Sequence, residues 1–122
     1  MIDFKNAAFV KLAAARMDAF DVKALLVDGE EVVSVYQAMR DGVIFTNKRI
    51  ITVNVQGVTG KKKDFTSLPY SKIQAYSVET AGVFDLDAEL ILWFSGLGTV
   101  KLDFVGHTDI ARICKMISEH VL

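Results

Sequence analysis

The strongest candidate for binding chemistry in the sequence is a lysine run behind two closely spaced glycines. Gly57 and Gly60 bracket a short loop, and three consecutive lysines follow it. Backbone amides in a glycine turn, together with lysine side chains, can hold an anion such as a phosphate. The spacing is not that of a nucleotide-binding P-loop, because no Ser or Thr follows the lysine and a strand pattern comes next.

Three interpretations of this basic loop stay open. It is a solvated edge hairpin that lysines protect from aggregation, a contact between subunits, or a site for an anion or lipid headgroup. The candidate residues, including two cations of the preceding turn, are Lys48, Arg49, Lys61, Lys62 and Lys63.

A second candidate cluster is acidic. Asp85, Asp87 and Glu89 are spaced at i, i+2 and i+4, with Glu79 upstream. If this stretch is extended, the three carboxylates share one face of a strand. Carboxylate oxygens suit a hard cation, but the Asx and Gly pattern of a calcium loop is missing. We therefore predict no metal, and interpret the cluster as a polar strand face or loop, or as an acidic subunit contact.

The remaining reactive residue types form no catalytic constellation. His107 and His120 are far apart and have neither metal-ligand spacing nor a nucleophile partner, so both are expected at the surface. The single cysteine, Cys114, falls within an apolar helical pattern and is expected to be a small core residue. The sequence predicts a protein that is not an enzyme and needs no cofactor.

Composition restricts the possible partners. The chain has 122 residues, a hydrophobic fraction of 52% and a formal net charge of −1. Its length predicts one domain, and its near-neutral charge argues against nucleic acid as a partner. The high apolar content favours self-association. A run long enough to cross a membrane and a secretory signal pattern are both missing from the sequence, so a cytoplasmic location is expected.

The first 28 residues predict a helical extension. Residues 3–17 place Phe4, Ala8 and Leu12 on one helical stripe, and their alanine content favours helix. A second short helical piece is expected over 18–27, ending at the Asp28–Gly29 stop signal.

Residues 29–106 predict an antiparallel barrel or sandwich. From Glu31 the apolar period changes to two, and Asp41–Gly42 indicates a tight turn of the kind that needs a positive φ. Short strands joined by tight turns pair antiparallel, and seven of them curl or split into two layers. The predicted strands cover 31–38, 42–46, 49–56, 61–68, 71–80, 88–94 and 99–105.

Residues 107–122 predict one amphipathic helix that closes an open end of the barrel. Thr108 is the expected N-cap. Its apolar stripe runs at i, i+3, i+4, i+7 and i+11 through Ile110, Ile113, Cys114, Ile117 and Val121.

With these elements in this order, the chain resembles the bacterial pleckstrin-homology (PH) domains, formerly a domain of unknown function. The segments that carry the resemblance are Asp28–Glu30, Arg40–Ile51, Gln56–Lys63, Leu68–Ile73 and Glu79–Leu90. The resemblance implies a seven-stranded PH-like barrel with a C-terminal helix, in a small bacterial protein that assembles into a homo-oligomeric ring.

The sequence departs from the lipid-binding eukaryotic PH pattern in two places. The loop between the first two barrel strands, Met39–Gly42, is short, and its one arginine precedes an aspartate. The only tryptophan, Trp93, falls in a strand rather than in the closing helix. Inositol-phosphate binding therefore does not follow from the fold.

The sequence leads to two functional hypotheses for the single domain 1–122. The first is a non-enzymatic module that self-assembles and presents a surface to a protein partner. In a ring, Lys61–Lys63 of one copy would face the acidic cluster of the next, because ring contacts join two different patches. The alternative is peripheral binding of anionic lipid headgroups or phosphates through the 57–63 hairpin.

Overall fold

The computed structural model describes residues 1–5, 9–80, 87–106 and 108–122, and within them it contains eight strands and one α-helix. Two single-turn 3₁₀ helices, Lys23–Leu25 and Tyr70–Lys72, connect other elements. The strands are β1 Phe9–Ala14, β2 Val32–Ala38, β3 Asp41–Thr46, β4 Arg49–Gln56, β5 Lys62–Pro69, β6 Ile73–Thr80, β7 Ala88–Phe94 and β8 Gly98–Phe104, and the helix is α1 Ile110–Val121.

The eight strands form one curled sheet in the order β5-β4-β3-β2-β1-β8-β7-β6. Every neighbouring pair is antiparallel except β1 and β8, which run parallel. The end strands β5 and β6 follow each other in the chain through the Tyr70–Lys72 turn. The result is a half-barrel that begins at β5 and ends at β6.

The concave side of the sheet holds the main core, and α1 closes it. Ile110, Ile113 and Ile117 of the helix are buried in the same cluster as the inward residues of the strands. Three aromatic rings from different strands meet at its centre, with Tyr36 edge-on to Phe104 at 5.0 Å and to Phe45 at 5.8 Å between ring centroids. This core explains why one face of every barrel strand is apolar.

A second, smaller core lies on the convex side of β2, β3 and β4. Val35, Ile44 and Ile51 are buried there beneath the segment that precedes β2, which contributes Val22 and Phe20. The central strands are therefore covered on both faces, which accounts for much of the high hydrophobic fraction of so short a chain.

The predicted N-terminal helix over 3–17 is wrong, because Phe9–Ala14 is strand β1. Its apolar residues Phe9 and Leu12 are three apart, as on a helix, yet both face the main core. The cause is a bulge at Lys11, whose φ of 56° shifts the strand alternation by one residue. Of the helical piece expected over 18–27, only Lys23–Leu25 is helical.

The mostly antiparallel curled sheet and its closing helix are confirmed. The number of strands, the first hairpin turn and the helix N-cap need correction. The strands predicted over 49–56 and 88–94 match residue for residue, but β1 raises the total to eight and adds a parallel pair. The first hairpin turns at Met39–Arg40, where Met39 has a φ of 54°, and not at Asp41–Gly42. The N-cap of α1 is Asp109, which accepts from the Arg112 amide, while Thr108 donates to the Val105 carbonyl.

Candidate functional site

Two hairpin tips meet at one corner of the sheet. The guanidinium of Arg40, in the β2–β3 turn, donates to the Gly57 carbonyl at the end of β4 over 2.7 Å. The Asp41 carboxylate accepts from the Val55 amide over 2.8 Å and ties β3 to the end of β4. The β4–β5 loop is held by positive φ at Gly57 and Gly60. The glycine loop and the β2–β3 turn therefore form one surface.

This surface combines two fully exposed apolar side chains with four exposed cations. Met39 is 97% exposed, and Val58 is fully exposed. Arg40 and the three lysines of the loop are exposed beside them. We call this surface the tip patch; it consists of Met39, Arg40, Val58, Lys61, Lys62 and Lys63. Met39 and Arg40 were not among the predicted site residues, because only the pairing of the two hairpins brings them to the glycine loop. Val58 lies within the predicted 57–63 hairpin but was not named as a contact residue.

Lys48 and Arg49 lie away from the tip patch. They are at the opposite end of β4 from the glycine loop, and a strand of this length spans roughly 23 Å. Lys48 is exposed in the β3–β4 turn. Arg49 is partly buried and paired with Glu30. The structure therefore separates Lys48 and Arg49 from the three lysines, and only the exposed Lys48 of the two is free, within the described residues, to meet a partner.

Arg49 instead forms a partly buried ion pair with Glu30. Its Nε and Nη2 atoms donate to the two Glu30 carboxylate oxygens, each over 2.9 Å, and Nη1 donates to the Ser67 hydroxyl over 2.8 Å. The Thr46 hydroxyl donates to the same carboxylate over 2.7 Å. Burial raises the pKa of Glu30, but these bonds and one from the Val27 amide outweigh it and lower the pKa to about 2. This cluster fastens the segment before β2 to β4.

The acidic residues gather on the second half of the sheet. Glu79 of β6 is directly opposite Glu89 of β7, and Glu89 is opposite Asp103 of β8. These three carboxylates form what we call the acidic row. Asp87 is exposed just before β7, and Asp85 lies outside the described residues. Asp103 was not among the predicted site residues. Its position as an outward-facing residue of the last strand could have indicated that it joins the other carboxylates.

The acidic row borders the exposed part of the convex face of β6, β7 and β8. Trp93 is 44% exposed at the centre of this face, with Ala75 of β6 on one side and Thr99 of β8 on the other. Ile91, one position closer to the acidic row on β7, is half-buried. We call this surface the Trp93 face; it consists of Ala75, Ser77, Ile91, Trp93, Thr99 and the exposed Lys101, which lies opposite Ile91. An exposed tryptophan among small residues is typical of a protein contact rather than of a solvated sheet.

The described residues hold no group of three or more His, Cys, Asp or Glu side chains that could bind a metal ion. His120 packs against the ring of buried Tyr70, with centroids 4.9 Å apart, and His107 lies outside the described residues. Cys114 is half-buried, and burial raises the pKa of its thiol. In the described part of the chain, no helix is long and apolar enough to cross a membrane.

The curled sheet with one closing helix defines a PH-like fold. A solved structure from Shewanella loihica, a DUF1696 family protein with a pleckstrin-homology domain, superposes with a TM-score of 0.78; the match has 40% identity and covers 93% of this chain and 99% of that one. A pleckstrin-homology domain from Shewanella amazonensis matches with a TM-score of 0.62 and 43% identity, over 83% of this chain and 82% of that one.

The family model for the bacterial PH domain matches residues 3–121, so the chain belongs to that family. It is 42% identical over 115 residues to the uncharacterized protein YjqA of Bacillus subtilis, covering 93% of this chain and 90% of YjqA. YozO of the same organism, also uncharacterized, is 36% identical over 85% of this chain and 90% of YozO. The resemblance inferred from the sequence is confirmed.

Proposed function

We propose that this bacterial PH domain is a non-enzymatic interaction module of the cytoplasm that self-assembles head to tail, with the tip patch of one copy on the Trp93 face of the next. The observation that carries the proposal is a double match between these two surfaces. Each has exposed apolar side chains, and the nearby charges are mainly opposite in sign: cations on the tip patch, and three carboxylates beside the Trp93 face, where Lys101 is the one cation among the described residues of β6 to β8. The assembled copies would together present one surface to a further protein partner.

The apolar centres supply the affinity of this contact. Met39 and Val58 project from the tips with almost no contact to their own chain, and Trp93 offers a broad ring on a shallow face. Aromatic side chains at the centre of an interface carry a disproportionate share of its binding energy. Met is an adaptable partner for an aromatic ring. A head-to-tail contact would bury Met39, Val58 and Trp93 together, and removing this apolar surface from water stabilises the assembly.

The charges set the orientation. Lys61, Lys62 and Lys63 approach the carboxylates of the acidic row, which face one another across three strands. Lys101, one same-face position along β8 from Asp103, is the cation of this face that lies beside them. Like charges directly opposite each other destabilise a sheet, so nearby cations from a second copy relieve the repulsion. Because the two patches differ, the contact is heterologous, and repetition closes a ring when the rotation permits.

The test of this contact is the solution mass by light scattering at low and high salt. We expect an oligomer whose mass falls for Lys62→Glu and for Trp93→Ala, and whose charge-dependent part weakens as salt rises. Lys48→Glu is the matched control, since it makes the same charge change outside the tip patch. A mixture of Lys62→Glu and Glu89→Lys chains is expected to re-form mixed oligomers, because the reversed charges pair across the contact.

The proposal fails if the mass of the unmodified chain is that of a monomer. It also fails if Lys62→Glu and Lys48→Glu reduce the mass equally, since the effect would then follow net charge and not the tip patch.

A second candidate function, docking on an anionic membrane, is favoured by the tip patch alone. Two fully exposed apolar side chains near four exposed cations match an interface in which acyl chains lie beneath anionic headgroups. Each lysine near such a surface contributes roughly 1 kcal/mol. This candidate uses the same six residues but gives the Trp93 face no role.

Vesicle flotation separates the two functions. Membrane docking requires binding to vesicles that contain phosphatidylserine, no binding to neutral vesicles, and loss of binding for Met39→Ser with Val58→Ser. Trp93→Ala would leave flotation unchanged under this candidate, whereas it disperses the oligomer under the first.

A further inference from the structure

An open groove of about 770 Å³ lies where the chain passes from β5 to β6. It is bounded by the end of β5, by the Tyr70–Lys72 turn with the start of β6, and by the hairpin between β7 and β8. Small-molecule sites in proteins have volumes of roughly 300–1,000 Å³. The groove lies at the opposite end of β5 from Lys62 and Lys63, so it is a separate surface from the tip patch.

A β-bulge at Gln74 forms one wall of the groove. Ile73 is paired with Phe94 and Ala75 with Trp93, so β6 has one extra residue at this position. Gln74 is exposed and lines the groove. A bulge bends its strand and re-aims a side chain, and bulges are frequent beside active sites. This one places on the wall an amide that can both donate and accept hydrogen bonds.

The floor of the groove is apolar and continuous with the main core. Leu68 and Phe94 are buried members of that core, and the half-buried Leu97 packs against it. The exposed Pro69 lines the groove beside them. Each methylene group that such a floor removes from water raises the affinity of a ligand about fourfold. The floor therefore suits a ligand with a hydrocarbon part.

The charge of the groove is positive. Of the residues that line it, all of which are described, Lys72 alone has a charged side chain. Lys72 is exposed, and no carboxylate of the described residues forms an ion pair with it. The N-terminal amine of Met1, which also lines the groove, lies 3.0 Å from the Asp64 carboxylate and is balanced by it. The exposed hydroxyls of Ser71 and Ser95 are further hydrogen-bonding groups of the groove. An anionic group is the complement of this arrangement.

We propose that this groove binds a small amphiphilic anion, a carboxylate at the end of a hydrocarbon chain. The carboxylate accepts hydrogen bonds from Lys72 and from the neighbouring hydroxyl and amide groups, and the chain lies along Leu97 and the wall of the main core. The ligand is a single-chain acid taken from solution. The site goes beyond the proposed interaction module, because it adds a small molecule to its partners, and it does not depend on the head-to-tail contact.

Isothermal titration calorimetry with octanoate, below its micelle concentration, tests the site. We expect saturable binding of octanoate and no binding of octyltrimethylammonium, which has the same chain and the opposite charge. Lys72→Gln is expected to weaken octanoate binding about tenfold, because the charge-assisted hydrogen bond to the carboxylate is lost. Lys23→Gln is the matched control, since Lys23 is exposed in the other 3₁₀ turn and outside the groove. Equal affinities of the two variants, or equal binding of the two probes, would overturn the proposal.

A second variant tests the apolar floor. Lys72→Gln is expected to weaken hexanoate and octanoate by the same factor, whereas Leu97→Ser is expected to reduce the gain in affinity from hexanoate to octanoate. Circular dichroism checks that each variant stays folded. Irradiation of octanoate that carries a diazirine, followed by mass spectrometry of the peptides, is expected to label residues 67–74 and 94–97. Labelling confined to residues 57–63, or a gain that Leu97→Ser leaves unchanged, would contradict the assignment of the groove.

Vesicle flotation separates a free acid from a membrane lipid as the source of the anion. The acyl chains of a bilayer lipid stay in the bilayer, so only a free acid can lay its chain on the floor of the groove. Lys72→Gln is therefore expected to leave flotation with phosphatidylserine vesicles unchanged. Flotation that is lost in Lys72→Gln and kept in Met39→Ser with Val58→Ser would assign the groove to a membrane headgroup and overturn the proposal. These results do not bear on the head-to-tail contact, which the solution mass tests.

Discussion

At the residue scale, Gly42 shows how a close approach and not a turn can require glycine. Its φ is not in the left-handed region, but a Cβ built on it would lie 2.1 Å from a ring carbon of Phe20. Phe20, in the segment before β2, packs its ring against β3 at this position and joins the second core. The glycine therefore permits one side chain to cover the strand.

The variant Gly42→Ala is expected to lower the free energy of unfolding by about 1–3 kcal/mol, because the ring must leave its place in the second core. The same substitution in a Phe20→Ala chain is expected to be neutral or slightly stabilising, because alanine restricts the unfolded chain more than glycine does. Urea unfolding of the four chains of this double-mutant cycle measures the coupling. Equal costs in both backgrounds would show that the ring is not the obstacle.

Glu30 gives the chain a defined response to acid. Its folded pKa of about 2 lies below the ordinary value of 4.5, so its contribution is present above pH 4.5 and is lost as the pH falls toward 2. The shift corresponds to stability on the order of 2–3 kcal/mol at neutral pH. Unfolding measured from pH 7 to pH 2 should show the gap between the unmodified chain and Glu30→Gln narrowing below pH 4.5. Glu31→Gln, at an exposed neighbouring position, serves as the control, and a constant gap for Glu30→Gln would contradict the assignment.

Residue types alone did not reveal the partner of Arg49. Glu30 and Arg49 are 19 residues apart, and nothing local distinguishes this arginine from the lysines that follow the glycine loop. Charge and exposure suggested one basic site, but the length of β4 divides it into two. The three lysines stay close together because they are consecutive in the chain, at the end of the glycine loop and the start of β5.

At the scale of elements, β1 shows where periodicity misleads. An i, i+3 spacing of apolar residues describes a helix, but it also describes a strand interrupted by a bulge. Barrel strands β2 to β8 carry no such interruption at their centres, and their alternation predicted them well. The parallel pairing of β1 with β8 joins residues about 90 positions apart, and no local pattern encodes a contact at that distance.

The bulge itself leads to a test. Lys11 adopts a φ of 56°, a region that costs a non-glycine residue roughly 1 kcal/mol. Lys11→Gly is expected to raise the free energy of unfolding by up to about 1 kcal/mol, while Lys11→Ala, which keeps the strain, is expected to leave it nearly unchanged. Thermal and urea unfolding both report the difference. Destabilisation by Lys11→Gly would indicate that β1 keeps its regular alternation in solution.

At the scale of the whole molecule, apolar surface is distributed in three places: a concave core, a covered convex core and exposed positions near the hairpin tips and on the second half of the sheet. The alternation of apolar residues along the strands predicted the concave core. The remaining apolar content led us to predict self-association. It did not predict the second core, because the segment before β2 has no regular period. The exposed positions come from separate strands, so only the fold assembles them into surfaces.

The head-to-tail contact predicts how the whole assembly responds to salt. Its apolar centres supply affinity that salt does not screen, whereas its opposite charges act less strongly as salt rises. Sedimentation velocity from 50 mM to 1 M salt should therefore show a large species whose share falls with salt while a smaller one grows. Lys62→Glu should show less of the large species than Lys48→Glu at 50 mM salt, and the two variants should converge at 1 M. An equal share of the large species in both variants at low salt would show that the lysines after the glycine loop take no part in the contact.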